Sequence, residues 1–414
     1  MVQTQRRFFG ATFSSPAFRF SPTPALTMPV NRCPSLAVWF RMVRVTVGVL
    51  ITAHPASSLA AELGVAPTAE VAAEVAAGDS TQRVAQRPLA LPADVLQSTI
   101  ARGADVLSPS LRPVRDFEAS GEDARRSDRF WLLDVRRSPS GLWNAATPVR
   151  PSVYRLDRNG CRRPSDFDEY LAEVGHGRPA VVYVHGNRYT PTDAVERGLF
   201  TYRNSVRGLE APVDWVIWSW PSSRRGILGY DVRLKAARTD GQAFLFADLL
   251  RQHHLHDVPT TLIGFSFGGR IITGALHVLA GGSIHGRVAN HDPIIGANFD
   301  AGLIAPAIEQ NWMAPCGYHG ESTKNLLRLT VLYNSRDAVL KRYWLIDRIR
   351  GQVALGYEGP RRFATRYDGT RLPVRSRDCS PIVGLEHDEL DYYTDTCGAG
   401  PEMASLILAT MRRD

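Results

Sequence analysis

Lysine is scarce in this chain of 414 residues, since Lys235, Lys324 and Lys341 are the only three among 49 basic residues. The formal net charge of +8 at pH 7 would by itself suggest a nucleic-acid partner. The arginines are scattered, however, and the sequence lacks zinc spacings, a recognition-helix motif and a stripe of basic and aromatic residues. We therefore do not expect nucleic acid as a partner.

Cysteine is also rare. Once an N-terminal leader containing Cys33 is removed, four cysteines remain, which allow three pairings: Cys161, Cys316, Cys379 and Cys397. In an oxidising compartment, a bridge between Cys379 and Cys397 is our first expectation, with buried free thiols as the alternative.

The histidine-rich stretch QHHLHD at 252–257 has no strong metal-ligand spacing. It follows an amphipathic stretch and is typical of the solvated end of a helix. We therefore expect neither a metal nor an organic cofactor.

Long apolar runs are missing as well, because arginines interrupt the most apolar N-terminal segment and leave it too short to span a bilayer. From Met42 the chain has a positive start at Arg44, a short apolar core over 45–53 and small residues towards 60, as in a secretory signal. We expect residues 1–60 to be a leader and the protein to be periplasmic, secreted or anchored by an uncleaved leader. Translation from Met42, an unusually long positive region and a retained anchor remain alternatives.

Two further parts follow the leader. Residues 61–125 are rich in Ala, Pro and Arg, with few aromatics, which predicts a flexible spacer. From about residue 126 to 414, strand-like runs alternate with helix-like ones, beginning with RFWLLDVRR at 129–137. This alternation predicts an α/β domain with a mostly parallel central sheet and helices on both faces.

The predicted central strands are almost continuously apolar, as expected for strands buried on both faces. They are PAVVYVHG (179–186), VDWVIWSWP (213–221), TTLIGF (260–265), FDAGLIAPAI (299–308) and LLRLTVLYN (326–334). Apolar residues at helical spacing predict helices around 241–252 and after residue 266.

The motif GFSFG at 264–268 places Ser266 where a predicted strand turns directly into a predicted helix. A corner of this kind crowds the backbone, and glycines two residues before and two after relieve the crowding. The serine is then exposed above the sheet edge, beside the N–H groups of a helix N-terminus. A βα turn that happens to contain a serine is the alternative.

A second loop follows the strand that ends in His185 and Gly186. In this architecture an oxyanion hole takes one N–H from the residue after the nucleophile, here Phe267, and one from such a loop. Asn187 or Gly186 would donate the second, and we prefer Asn187. A plain turn with a structural histidine is equally compatible with the pattern.

An acid and a histidine further along the chain complete the pattern. Asp337 follows a predicted strand, and His387 is the only histidine after residue 319. The order Ser266, Asp337, His387 is the one expected for this architecture. Asp300 and Asp292 are alternative acids, although each is more typical of a salt-bridged surface carboxylate.

Aromatic residues cluster near the second of these loops. Trp215, Trp218 and Trp220 run into Pro221, and they predict either a pocket lining or core. Trp220 and Tyr189 are the candidates for contact with substrate.

With these residues assembled, the chain resembles the α/β-hydrolase superfamily over roughly residues 130–414. It is most similar to a bacterial branch of uncharacterised function that carries His-Gly-x-Asn, Trp-Pro-Ser and G-x-S-x-G motifs. Here these motifs are YVHGNR, WSWPSS and GFSFGG. The branch commonly has His-Ser-Met-Gly at the serine, and its Asn lies one place further from the Gly. The resemblance implies a Ser-Asp-His triad at Ser266, Asp337 and His387.

These residues predict a serine hydrolase, carboxylesterase- or lipase-like, that cleaves an ester, thioester or amide through an acyl-enzyme. Its substrate would be a small-molecule or lipid ester, and no stable protein partner is predictable. A non-catalytic binding or surface module with the same fold is the alternative. Cleavage of carbon–carbon or carbon–halogen bonds is a third possibility, although dehalogenation would favour an aspartate at position 266.

Overall fold

The structure is a computed structural model, and it describes residues 125–138, 150–224, 228–346 and 351–413. The leader predicted for residues 1–60 lies outside the described residues. So does the spacer predicted for 61–125, except for Arg125. In the described ranges, no helix is both long and apolar enough to cross a membrane.

Strands of the described chain form one nine-stranded sheet in the order β3-β2-β1-β5-β4-β6-β7-β8-β9. The strands are β1 (Arg129–Asp134), β2 (Ser152–Leu156), β3 (Arg162–Ser165), β4 (Ala180–Val184), β5 (Asp214–Ser219), β6 (Thr260–Phe265), β7 (Phe299–Ile304), β8 (Leu326–Tyr333) and β9 (Val374–Asp378). Pairing is parallel from β1 across to β9, and antiparallel only for β1 with β2 and β2 with β3. Every residue of β4, β5 and β6 is buried, as their apolar sequences predicted.

Helices lie between the strands and after the last of them. They are α1 (Phe167–Glu173), α2 (Pro191–Ser205), α3 (Leu228–Leu255), α4 (Phe267–Leu279), α5 (Leu355–Glu358), α6 (Ser380–Val383), α7 (Glu389–Tyr392) and α8 (Ala399–Met411). Two 3₁₀ helices cover Gly320–Asn325 and Leu340–Leu345. The helices predicted around 241–252 and after residue 266 are present as parts of α3 and α4.

Helices cover both faces of the sheet. Ile217 and Trp218 are neighbours on β5 and therefore point to opposite faces. Gly198 of α2 packs so closely on Ile217 that a Cβ there would lie 2.5 Å from its Cδ1, whereas Trp218 packs against Phe246 of α3 with ring centroids 5.0 Å apart. Helix α8 packs with α2, and α4 packs with α3. The predicted α/β architecture, mostly parallel with helices on both faces, is confirmed.

Candidate active site

Ser266 occupies a strained turn between β6 and α4. Its backbone angles are φ 52° and ψ −116°, which side chains with a Cβ rarely adopt. Three backbone hydrogen bonds hold it there: Ser266 N–H donates to Ile304 O at 2.9 Å, and Ser266 O accepts from Gly269 and Ala307 at 3.1 Å each. The neighbouring strand and the following helix therefore fix the serine in this conformation.

The glycines on either side of Ser266 are required by close backbone contacts. A Cβ on Gly264 would lie 2.8 Å from the amide nitrogen of Gly269. A Cβ on Gly268 would lie 1.9 Å from the carbonyl oxygen of Val184, at the end of β4. Gly264 thus lets β6 turn closely into α4, and Gly268 lets the turn approach the end of β4. This is the crowding that the motif predicted.

Replacing Gly268 by alanine is expected to destabilise the protein by about 3 kcal/mol, because backbone of β4 would have to move away from the new methyl group. Gly269→Ala is the matched control, since its Cβ would lie 3.0 Å from the side chain of Pro306. Urea unfolding of both variants measures the difference. A Gly268→Ala protein as stable as Gly269→Ala would contradict this account of the turn.

His387 lies between Ser266 and Asp337. Its Nε2 is 2.9 Å from Ser266 Oγ, and its Nδ1 is 2.6 Å from Asp337 Oδ2. The other carboxylate oxygen of Asp337 accepts hydrogen bonds from the amides of Val339 and Leu340, both at 2.8 Å. Because a carboxylate only accepts, Nδ1 carries the proton, and Nε2 of the neutral ring is left to accept from the serine hydroxyl.

The charge of Asp337 sets the proton affinity of His387. Burial alone lowers the pKa of the imidazole, but the negative charge of Asp337 and the hydrogen bond to it outweigh burial. Asp388 and Glu389 add to this attraction, so the pKa of His387 is raised above its usual 6.5. The ring is therefore a stronger base than an isolated histidine.

The loop that carries His387 is fastened to the loop that carries Asp337. Asn334 follows β8 directly, and its side-chain amide donates to Gly384 O at 2.9 Å. Ala338 N–H donates to Leu385 O at 3.0 Å. These bonds hold the imidazole over the carboxylate, and the sequence offered only a polar turn after a strand as a signal for Asn334.

A disulfide encloses the same loop. The predicted bridge between Cys379 and Cys397 is present, and it joins residues 18 apart in sequence, with His387 between them. Cys379 N–H donates to Tyr333 O at the end of β8, at 2.8 Å. Cys161 is a free, exposed thiol.

The loop between β4 and α2 reaches the serine from the other side. A Cβ on Gly186 would lie 3.4 Å from Ser266 Cβ. No described residue accepts a hydrogen bond from the amide N–H of Gly186, Asn187 or Phe267. Phe267 begins α4, so its amide belongs to the positive end of a helix dipole.

The motifs HGN and WPS form one hydrogen-bonded unit. Arg188, in the left-handed region at φ 67°, donates its N–H to Ser222 O at 2.9 Å. Tyr189 N–H donates to Ser222 Oγ at 3.2 Å, and Ser222 Oγ donates to Tyr189 O at 3.0 Å. The second motif therefore fixes the backbone of the first.

A mostly parallel sheet that turns through a glycine-flanked serine directly into a helix, with acid and histidine following in that order, is the α/β-hydrolase arrangement. The chain has the α/β-hydrolase fold.

Comparison with known proteins adds distant structural similarity. No family model matches the sequence, and no curated protein matches it significantly. Esterase B from Lactobacillus rhamnosis is 13% identical, over 77% of this chain and 94% of that one, with a TM-score of 0.34. TT1662 from Thermus thermophilus is 12% identical, over 64% and 94%, with a TM-score of 0.32. Acyl-protein thioesterase 2 from Zea mays is 12% identical, over 56% and 94%, with a TM-score of 0.29. These identities and TM-scores are low. The α/β-hydrolase fold is therefore assigned from the sheet and the serine turn described above.

Trp220 and Tyr189, the predicted substrate contacts, lie around His185. Trp220 is completely buried, and its indole N–H donates to His185 O at 2.8 Å. Burial lowers the pKa of His185 to about 3, so this histidine is neutral and structural. Trp220 thus supports the β4–α2 loop and presents no surface to a ligand. Tyr189 is half-buried, stacks on His185 and donates its hydroxyl to Glu389 at 3.1 Å.

Arg136 supports the same loop and was not singled out in the sequence. Its Nε donates to Ser219 Oγ at 2.7 Å, and its terminal nitrogens donate to the carbonyls of Tyr189 and Thr190, both at 3.1 Å. Burial lowers the pKa of Arg136 to about 10, so it stays charged at neutral pH. The only signal in the sequence was a basic residue just after an apolar strand.

The alternative acids lie elsewhere. Asp300 sits near the start of β7 and binds Arg328 at 3.0 Å and Thr410 at 2.7 Å. It is salt-bridged as expected, but it is fully buried rather than at the surface. Asp292 is exposed.

The expectation of a solvated helix end over 252–257 is wrong for His253. This side chain is buried because the end of α3 packs towards β6, where its ring bonds to Tyr170 Oη at 2.7 Å and Thr260 Oγ1 at 2.9 Å. His254 and His256 are exposed. The described ranges contain no group of three potential metal ligands.

Proposed function

We propose that this protein is a serine hydrolase that cleaves an ester, thioester or amide bond through an acyl-enzyme. The observation that carries the proposal is the position of His387, 2.9 Å from Ser266 Oγ and 2.6 Å from Asp337 Oδ2. A nucleophile, a base within hydrogen-bond reach and a third group that orients the base are the parts this chemistry needs.

In the first half of the reaction, Ser266 Oγ attacks the carbonyl carbon of the substrate while its proton passes to His387 Nε2. The resulting imidazolium is stabilised by Asp337, which keeps the Nδ1 proton in its hydrogen bond. His387 then gives the transferred proton to the leaving group, and the acyl group remains on Ser266. A water molecule repeats the sequence and releases the acid.

Negative charge develops on the carbonyl oxygen during both attacks. We assign its stabilisation to the Phe267 amide and to Asn187 or Gly186 in the β4–α2 loop, with Asn187 preferred. These N–H groups make no hydrogen bond to described residues, so donation to a substrate oxygen would break no bond within that part of the protein. Fixed donors of this kind need no reorganisation when the charge appears.

A small-molecule or lipid ester is the proposed substrate, and Tyr189 is the half-buried candidate to contact it. We also propose export, which the disulfide between Cys379 and Cys397 supports, because such bridges persist in oxidising compartments.

A fluorophosphonate probe tests the proposal, because it reacts only with a serine that is activated as a nucleophile. We expect the intact mass of the folded protein to rise by one adduct, and the adduct to map to the peptide containing Ser266. Protein unfolded in urea should remain unmodified, since the three side chains then separate. Folded protein that stays unmodified by even the smallest probe would contradict the proposal and favour a binding module.

A further inference from the structure

Glu389 is a completely buried carboxylate two residues after His387, and the reaction above does not use it. Its Oε2 accepts hydrogen bonds from the hydroxyls of Tyr183 at 2.7 Å and Tyr189 at 3.1 Å. Its Oε1 accepts from Thr201 Oγ1 at 3.3 Å. Burying a carboxylate costs free energy, and these three hydrogen bonds offset part of that cost. A buried acid at this position therefore indicates a specific role.

The three donors belong to the β4–α2 loop and to the strand and helix on either side of it. Tyr183 lies on β4, which runs directly into Gly186, and Tyr189 lies on the loop itself. Thr201 lies on α2, into which the loop runs. Glu389 begins α7, immediately after the loop that carries His387. One side chain therefore connects the base to both ends of the loop that approaches the serine.

We infer that Glu389 is a positioning residue that holds the His387 loop against the β4–α2 loop through its three hydroxyl contacts. The inference rests on the proposed function, since it concerns the relative placement of the proposed base and the proposed oxyanion donors. Catalysis is sensitive to such placement, because a misplacement of about 1 Å can cost about 100-fold in rate.

Several charged and titratable groups face this carboxylate. Arg197 of α2 lies close enough to attract it and pairs with Asp388 at 2.8 Å. Tyr393, on the same segment as Glu389, stays a neutral phenol because burial raises its pKa. Burial raises the pKa of Glu389 to about 7, although the tyrosine hydroxyls and Arg197 favour its charged form. The buried carboxyl group is therefore a weaker acid than an exposed glutamate.

Two substitutions separate the contacts from the charge. Glu389→Gln keeps the shape, and its amide oxygen still accepts from both tyrosines while the amide N–H donates to Thr201. Glu389→Leu has similar volume and removes every acceptor. We expect the glutamine variant to react with the fluorophosphonate probe within about threefold of wild type, and the leucine variant about 100-fold more slowly. In Glu389→Leu, the maximal labelling rate should fall, whereas the probe concentration that gives half of the maximal rate should stay the same.

The pH profile supplies a readout that a merely structural role would not change. Probe labelling needs neutral His387, so its rate falls as pH drops through the pKa of that ring. The charge of Glu389 helps to raise this pKa. We expect the acid limb of Glu389→Gln to lie at lower pH than that of wild type.

Asp128→Leu is the matched control. Asp128 is also a buried acid that accepts from a tyrosine hydroxyl, that of Tyr202, and from Val213 N–H. It precedes β1 and so lies at the amino ends of the parallel strands, whereas Ser266 lies at their carboxyl ends. Its loss should therefore lower the thermal midpoint and leave the labelling rate unchanged.

Labelling of Glu389→Leu at the wild-type rate would overturn the inference, and so would an equal loss in Asp128→Leu. If Glu389→Leu does not fold, the double variant Tyr183→Phe with Thr201→Val takes its place, because it removes two of the three contacts. Labelling of that variant at the wild-type rate would overturn the inference. A wild-type protein that is not labelled at all would instead overturn the proposed function.

Discussion

Ester hydrolysis by Ser266→Ala is expected to fall about 10⁶-fold below wild type. The substitution removes the proposed nucleophile and leaves His387 and Asp337 hydrogen-bonded to each other. Some acceleration over uncatalysed hydrolysis, about 10³-fold, should survive from the proposed oxyanion donors. Hydrolysis of a chromogenic ester at saturating concentration is measured with wild type, with the variant and without protein. The three rates give both quantities.

The protein itself should remain folded, because the strained backbone at residue 266 is held by main-chain bonds to Ile304, Gly269 and Ala307. Ser283→Ala, at an exposed serine in the same chain, is the matched control and should hydrolyse the ester like wild type. Full activity in Ser266→Ala would show that another group is the nucleophile.

Asp337→Asn is expected to lower hydrolysis about 10⁴-fold. In the wild-type protein, the Asp337 carboxylate accepts from His387 Nδ1. This bond fixes the tautomer in which Nε2 can take the serine proton. An asparagine amide can donate to Nδ1, which favours the opposite tautomer and turns Nε2 into a donor. The imidazolium formed during attack also loses its counter-charge. Steady-state rates on the same chromogenic ester measure the loss.

The pH dependence of this variant gives an independent test. In wild type the charge of Asp337 raises the pKa of His387, so activity should fall as pH drops through a value above 6.5. Without that charge the burial of the ring dominates, and the remaining activity should persist to lower pH. Asp292→Asn, at the exposed alternative acid, should keep the wild-type rate and profile. An unchanged profile in Asp337→Asn would assign the acid limb to another group.

The central sheet could be predicted because its strands are buried on both faces, which leaves nearly unbroken apolar runs such as 180–184 and 260–265. The outer strands carry no such signal. β9 has the sequence VRSRD, most of which is exposed, so nothing in its pattern distinguishes it from a loop. β3 is mostly exposed and contains two arginines.

The candidate site could be predicted as far as chain order and local pattern reach. Ser266 is recognisable by its glycines, and His387 by being the last histidine. Glu389 could not be found this way, because its partners Tyr183 and Thr201 are distant in sequence and meet it only in the fold. Trp220 was predicted to contact substrate but is completely buried. A tryptophan in a pocket wall and one in the core have the same sequence signature, so the sequence could not distinguish them.

The link between Cys379 and Cys397 makes the chain around His387 a closed ring. For about 18 residues, such closure reduces the entropy of the unfolded chain by the equivalent of about 3 kcal/mol. In a reducing environment the disulfide would not form, and the segment that carries His387 would not be closed by a covalent link. In the proposed exported protein, maturation would therefore depend on the arrival of an oxidant as well as on folding.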